Sequence, residues 1–291
     1  MKYYGALEAG GTKMVLSQMS ENGAMLCREV IPTTTPEETM PAMIAFFREH
    51  PVDALGIASF GPVDLNPKSE TYGSITATPK LAWRNYPIMN AFRDELQVPV
   101  AIDTDVNAAA LAEAQLGAGR GLDVCLYVTV GTGIGGGIIV GGKPVHGLVH
   151  SELGHMLLTA HPDDPNPEGF CPYHTHCLEG LASGPAVEKR WGKPGSELPA
   201  NHPAWELETE YLAQMCHNAI MTFSPEKIIL GGGVMQQSFL FTKIREKTLR
   251  MLGGYIVHPA VEDGLIDYIV KPGLGVHSGV TGAWLLAKSA K

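Results

Sequence analysis

This sequence predicts a mixed α/β fold arranged as two layered domains, and three observations carry that expectation. Runs of strand character alternate with amphipathic helical segments along all 291 residues, and no low-complexity stretch separates them. A strand, a glycine turn and a second strand open the chain in "GALEAGGTKMVL" and return near residue 131 in "VTVGTGIGGGIIV", so the opening unit is repeated. Apolar residues make up 45% of the chain, enough for a large core, and the length suits two domains of about 150 residues. A break near residue 118, in "GAGRG", gives domains over 1–118 and 119–291, with the last helix expected to pack back onto the first.

The elements follow in order. "YYGALEA", "MVLSQMS" and "MLCREVI" read as three strands, and "TPEETMPAMIAFFREH" as a helix opened by threonine, proline and early glutamates. "ALGIASFG" reads as a buried strand running into Gly61-Pro62. A long loop through "GSITATPKLAW" precedes the helix "PIMNAFRDEL" and the strand "PVAIDTD", and the helix "VNAAALAEAQLG" follows at once. The second half begins with the strand "VCLYVTV", the glycine turn "GTGIGGG", the strand "IIVGG" and a hairpin leading to "PVHG". A His/Cys-dense loop over 150–180 comes next, then the helix "LETEYLAQMCHNAIMTF", the strand "EKIILGGGV" and the helix "FLFTKIREKTLRML". A strand, a glycine-rich loop and a final helix in "DYIVKPGLGVHSGVTGAWLLAKSAK" close the chain.

A net charge of -9 offers no footprint for a polyanion, which disfavours nucleic acid and anionic membranes while leaving backbone amides able to bind a small anion. No run has the character of a signal peptide or reaches roughly 18 apolar residues, so a cytoplasmic location is expected. Five cysteines, at 27, 125, 171, 177 and 216, argue against a disulfide framework. Cys125 and Cys216 read as ordinary core residues.

Four glycine-rich turns stand at strand ends, at 10–13, 131–137, 231–233 and 273–275. Glycine lets amides approach an oxyanion and adopt positive φ, so such turns suit phosphate, although a single one reads equally well as a hairpin. None has the P-loop ending GK[ST] or the spaced Rossmann glycines. A phosphate held between the two repeated hairpins, with adenosine at the later turns, is the reading that remains.

Asp103 and Asp105 lie where a strand gives way to an alanine-rich helix. Asp105 or Thr104 could cap that helix. Alternatively Asp105 is a general base, because phosphoryl transfer to an alcohol needs a carboxylate within hydrogen-bond reach of the attacking hydroxyl. Further on, His150, His155, His161, Cys171, His174, His176 and Cys177 crowd into one segment. Cys171, His174 and Cys177 form C-x2-H-x2-C, and one upstream histidine would complete a tetrahedral zinc set; spacing alone leaves His174 and His176 as alternatives. No open coordination position is evident, so the site reads as structural, bracing a loop whose Glu152 and Glu179 are candidates to bind sugar hydroxyls or are plain surface carboxylates.

Taken together, "GALEAGGTK", "DTDVNAAALAE", "VTVGTGIGGGIIV", "ELGH", "CPYHTHCLEGLASGPA", "IILGGGV" and "PGLGVHSGVTGA" resemble the ROK family of repressors, open reading frames and sugar kinases, and within it the bacterial fructokinases. The resemblance implies an actin-like ATPase (ribonuclease H-like) fold of two α/β domains with the active site in the interdomain cleft. It makes Asp105 the base that deprotonates the sugar hydroxyl, and it places Glu152, His155 and Glu179 around the sugar with Gly61 beside them. The family's zinc site maps to His155, Cys171, His174 and Cys177, favouring His174 over His176. For ATP with Mg2+, Gly10, Gly11, Thr12, Lys13, Gly131, Thr132 and Gly133 are put beside the phosphates. Gly231, Gly232, Gly233 and Met235 approach the adenosine, and Pro185 borders the nucleotide.

Two departures carry information. Glu8 stands where many members have aspartate and would still reach a hydrated magnesium ion; Thr104 replaces an asparagine whose amide glucokinase-like members use on the sugar. With "TPKLAW" at 78–83, both point to a ketohexose. The implied protein is a cytoplasmic, homodimeric, ATP-dependent fructokinase with structural zinc. Kinases for mannose, glucose or N-acetylmannosamine are the alternatives. A sugar-sensing repressor is disfavoured, since a first glycine loop at residue 10 leaves no room ahead of it for a helix-turn-helix.

Overall fold

The computed structural model describes residues 1–291 and turns the sequence repeat into two sheets of the same topology. In the first, β1 (Tyr3–Ala9) turns into antiparallel β2 (Lys13–Ser20), and β3 (Met25–Pro32) pairs antiparallel on its outer edge. α1 (Pro36–Glu49), with Glu37 and Glu38 in its first turn, returns the chain to β4 (Ala54–Ser59), which lies parallel to β1. α2 (Ile88–Leu96) then leads to β5 (Val100–Thr104), parallel to β4, giving the order β3-β2-β1-β4-β5. Every residue of β4 is buried, as a parallel strand covered on both faces requires.

α3 (Asp105–Leu116) crosses to the second sheet, where β6 (Val124–Val130), β7 (Ile134–Val140) and β8 (Lys143–Pro144) form an antiparallel meander. Past α4 (Leu178–Ala182), α5 (Gly184–Trp191) and α6 (Ala204–Phe223), β9 (Lys227–Gly231) pairs parallel with β6. After α7 (Leu240–Leu252) and α8 (Pro259–Glu262), β10 (Ile269–Val270) pairs parallel with β9. The order β10-β9-β6-β7-β8 is that of the first sheet read from the opposite edge.

The last helix, α9 (Ser278–Ser289), packs against α3 and against β1 and β4 of the first sheet. Glycine makes that approach possible: a Cβ on Gly56 would stand 1.9 Å from the Ala283 carbonyl oxygen, and one on Gly282 2.0 Å from that of Ala108. Three cores result. One lies between the first sheet and α1 and α2, around Met43, Phe47 and Phe92. Another lies beneath the second sheet, around Trp205, Tyr211 and Leu230. The third, rich in alanine, joins α3 and α9 to both sheets through Ala58, Ala109, Tyr127 and Ala283. No helix is long and apolar enough to cross a membrane.

One expected turn is shorter than its glycines suggest. The turn read over 131–137 ends at Gly133, and β7 already includes Gly135, Gly136 and Gly137. Those at 135 and 137 serve packing, because a Cβ on Gly137 would stand 2.4 Å from the Val106 carbonyl oxygen and one on Gly135 2.9 Å from Val106 Cγ1. α4, α5 and α8 have no counterpart among the expected elements; the first two are held by local caps, Cys177 Sγ accepting from the Gly180 amide and Ser183 Oγ from that of Ala186.

Candidate active site

Ligands of open α/β sheets bind beyond the carboxyl ends of the strands, and the candidate residues stand there. β1 ends at the turn Gly10–Thr12, β4 runs into Gly61, β5 ends one residue before Asp105, and β6 and β9 end at the turns 131–133 and 231–233. In the first turn the Gly10 amide donates to the Lys13 carbonyl at 3.0 Å and the Thr33 hydroxyl to the Gly10 carbonyl at 2.7 Å. The second turn closes from the Gly131 amide to the Gly133 carbonyl at 2.9 Å. Within the protein, the amides of Gly11, Thr12, Thr132, Gly133, Gly232 and Gly233 donate to nothing. Six unspent donors on bare backbone form a cradle suited to a polyphosphate. Gly131 adjoins Gly233, whose amide nitrogen would lie 4.0 Å from a Cβ at 131, and Gly232 takes φ +92 where a side chain would strike Val130.

The fourth glycine turn is a different object, contrary to the sequence expectation. Gly273 and Leu274 donate their amides to the buried Glu113 carboxylate at 2.8 and 3.0 Å, and Gly275 donates to Pro272. Glu113 also accepts from the Ala118 amide and the Ser278 hydroxyl, tying the end of α3 to the start of α9. Its donors are therefore committed to the fold. Among the other expected nucleotide contacts, Thr12, Lys13, Thr132 and Pro185 are exposed, whereas the Met235 side chain is buried in the second core.

Asp105 is the first residue of α3, and Thr104 is the cap: its hydroxyl accepts the Asn107 amide at 3.1 Å. The Asp105 carboxylate is thus free for another task. Loss of hydration pushes it up to about 7; the Val106 amide, donating to Oδ1 at 2.9 Å, opposes this, while the negative charges of Glu8 and Glu152 add to it. Burial likewise raises Glu8, against the pull of Lys13, Arg28 and His277. The Glu8 carboxylate makes no hydrogen bond and lies against Gly279 at the start of α9, where a Cβ would stand 2.6 Å from it.

Glu152 is half-exposed beside His150. Glu179, in the first turn of α4, accepts the Ile134 amide at 2.9 Å, and a Cβ on Gly133 would stand 2.7 Å from the same oxygen. It therefore lies directly behind the second glycine turn. A Cβ on Gly61 would meet the His150 ring at 3.5 Å.

His155, Cys171, His174 and Cys177 gather so that one donor atom of each lies within 4.8 Å of the others. Cys171 Sγ is 3.8 Å from His155 Nδ1 and 3.6 Å from His174 Nδ1, and Cys177 Sγ is 3.7 Å from His155 Nδ1. Tetrahedral zinc, with bonds of about 2.0–2.3 Å, sets its ligand atoms about 3.3–3.8 Å apart, so these three separations fit that ion. His176 turns away at φ +60, its Nδ1 2.8 Å from the Pro167 carbonyl oxygen. The strands of the loop are stapled beside the cluster, Leu158 donating to the His176 carbonyl and Leu178 to that of Met156.

Three side chains gain a place that the sequence reading did not give them. Lys80 brings Cε within 3.3 Å of a Cβ built on Gly11 and forms no ion pair. His146 and His150 reach across to the first half of the chain, to Asp103 and to the Val63 amide. The signal for Lys80 was its place in "TPKLAW"; for the histidines it was nearness to Glu152.

Comparison with known proteins bears on the family and the fold. A fructokinase of Pediococcus pentosaceus is 47% identical over 286 residues, covering 98% of each chain. A fructokinase of Zymomonas mobilis subsp. mobilis is 45% identical over 298 residues, covering 100% of this chain and 98% of its own. The crystal structure of a ROK family glucokinase from Streptomyces griseus, in complex with glucose and AMPPNP, superposes with a TM-score of 0.80 at 26% identity, covering 99% of this chain and 100% of the other. With two repeated α/β sheets of the actin-like ATPase type and a family profile that matches residues 4–290, the chain belongs to the ROK family.

Proposed function

We propose that the protein is an ATP-dependent fructokinase, forming fructose 6-phosphate with Asp105 as general base. The observation that carries this reading is Asp105 itself: a carboxyl at about 7, uncommitted to helix capping, in a chain that also offers two turns of free amides. A base near the working pH combines a populated ionised form with real proton affinity. Asp105 takes the proton of the sugar hydroxyl as its oxygen attacks. ATP, bound with Mg2+, supplies the phosphoryl group and leaves as ADP. Amides of Gly11, Thr12, Thr132 and Gly133 hold the phosphate oxygens, with Lys13 alongside, and Glu8, free of internal partners, is the carboxylate available to the hydrated cation. Gly231, Gly232, Gly233 and Pro185 border the adenosine.

Glu152, Glu179 and His155 accept and donate at the sugar hydroxyls. His155 turns Nδ1 toward the cysteine sulfurs, leaving its other ring nitrogen for the sugar. Zinc held by His155, Cys171, His174 and Cys177 is structural: it fixes His155 and, through Cys177 at the cap of α4, Glu179. Fructose is favoured over other hexoses by Thr104, whose hydroxyl is spent on the helix cap, and by relatives near 45–47% identity that bear the name fructokinase. The enzyme acts in the cytoplasm as a homodimer.

A coupled ADP-release assay over fructose, glucose, mannose and N-acetylmannosamine tests the reading. Fructose should be turned over best, and failure on fructose, or much better turnover of another sugar, refutes it.

A further inference from the structure

His146 and His150 face each other across a tight turn beyond β8, joined by an isolated antiparallel bridge, with the Gly147 amide donating to the Val149 carbonyl at 3.0 Å. Both side chains anchor this turn to the first half of the chain. His146 Nε2 lies 3.0 Å from Oδ2 of buried Asp103, whose Oδ1 accepts the Thr104 amide at 2.8 Å and the Asn107 side-chain amide at 2.7 Å. His150 is only 5% exposed, and its Nε2 accepts the Val63 backbone N–H at 3.1 Å.

The second contact settles where the proton sits. An amide N–H can only donate, so Nε2 of His150 is bare and the ring carries its proton on Nδ1. That nitrogen stands 3.4 Å from Oε1 of Glu152 and 3.4 Å from the Ser151 carbonyl oxygen. Both separations exceed a well-formed hydrogen bond, so the donor is under-used as it stands, and a small approach of Glu152 satisfies it. A histidine serving only the core would have both nitrogens closed. Here one is clamped by backbone, and the other presents its proton to a half-exposed carboxylate.

We propose that His150 is a positioning residue for the sugar: clamped by the Val63 amide, it donates from Nδ1 to Glu152 and fixes where that carboxylate meets a substrate hydroxyl. The inference rests on the reading of Glu152 as a sugar ligand. Without the tether, Glu152 must lose its rotamer freedom when sugar binds, so the cost falls on sugar affinity rather than on nucleotide affinity.

The two halves of the imidazole can be replaced separately. Asparagine retains a donor near the Nδ1 position, and glutamine retains an acceptor near Nε2. In steady-state kinetics, His150→Gln should raise KM for fructose about tenfold, the scale of one hydrogen bond to a charged group, while KM for ATP stays put. His150→Asn should stay within about threefold of the parent, the scale of one neutral hydrogen bond. In a Glu152→Ala background, His150→Gln should add nothing more. Equal KM values for the two His150 variants, a parallel rise in KM for ATP, or an undiminished tenfold effect without Glu152 would overturn the inference. Glu152→Ala alone separates the two layers: an unchanged KM for fructose removes the sugar-ligand reading and this inference with it. A large rise beside a silent His150→Gln overturns the inference alone.

Discussion

Lowering the pH from 8 to 6 should reduce kcat/KM for fructose about tenfold, and Asp105 sets that figure. With its carboxyl at about 7, the ionised fraction is about 0.9 at pH 8, about 0.5 at pH 7 and about 0.1 at pH 6. Only the ionised form can take the hydroxyl proton, so the rate rises with pH, and kcat/KM reports the free enzyme in which this environment is found. The main cause is loss of hydration, with Glu8 and Glu152 adding negative charge. Glu8→Gln therefore moves the acid limb to lower pH, whatever it does to the plateau. The assay is coupled ADP release at constant ionic strength over pH 5.5–8.5. A histidine could produce a limb in the same range, but organic cosolvent separates them. Ionising a carboxylic acid creates charge and is opposed by lower polarity, so its limb moves up, whereas an imidazolium, which keeps one charge across its equilibrium with buffer, hardly moves. Asp105→Asn should lower kcat by at least about 100-fold, the low end for general-base catalysis. A flat profile between pH 6 and 8, or a limb unmoved by cosolvent, would refute the assignment.

Three further outcomes follow from other parts of the molecule. Cys177→Ser should cut bound zinc, measured by metal analysis, from about one per chain to well below that, and should lower the melting temperature through loss of the ion, since serine keeps the cap of α4 and removes only the sulfur that faces the cluster. Glu208, buried with no partner on Oε1, is pushed up to about 8 by loss of hydration, with Arg190 opposing. A carboxyl raised on folding favours the native state at low pH and loses that contribution as pH rises from the unfolded value toward about 8; the melting temperature of Glu208→Gln should therefore gain on the parent between pH 5 and 8, and a difference independent of pH would contradict this. Lys80→Met should lower kcat about tenfold or more with little change in KM for fructose, if the ammonium near Gly11 meets the transferring phosphoryl group; an effect confined to KM for fructose would place Lys80 at the sugar instead.

The strands and the repeat were legible because a period-two or fully apolar run ending in glycine is a local signal, and "EAGGTK" and "VGTGI" share it. The Cys/His cluster was legible in membership: spacing left His174 and His176 open, the family resemblance favoured His174, and the fold brings His174 Nδ1 beside Cys171 while Pro167 holds His176. What could not be read was the purpose of each glycine. At Gly11 and Gly133 the chain leaves amides unspent, at Gly135 and Gly137 it makes room for Val106, and at Gly273 it feeds Glu113. These demands come from different partners, yet they leave the same letter. His150 was legible as a candidate and illegible in role, because Val63 lies 87 positions away.

Asp105, the proposed base, sits where the two sheets are joined. α3 starts at Asp105 and carries Glu113 eight residues on, about 12 Å along the axis. At that far end Glu113 binds the loop that launches α9, and between the two ends α3 packs on β6 and β7 while α9 lies on β1 and β4. The helix bearing Asp105 is therefore part of the joint between the sheets. The two glycine turns, each on a hairpin of its own sheet, lie off that joint. A rotation of the sheets about this joint would bring the phosphate donors to Asp105 while the proposed base stays put, which is the geometry that in-line transfer needs if the attacking hydroxyl is to stay within reach of one carboxylate throughout.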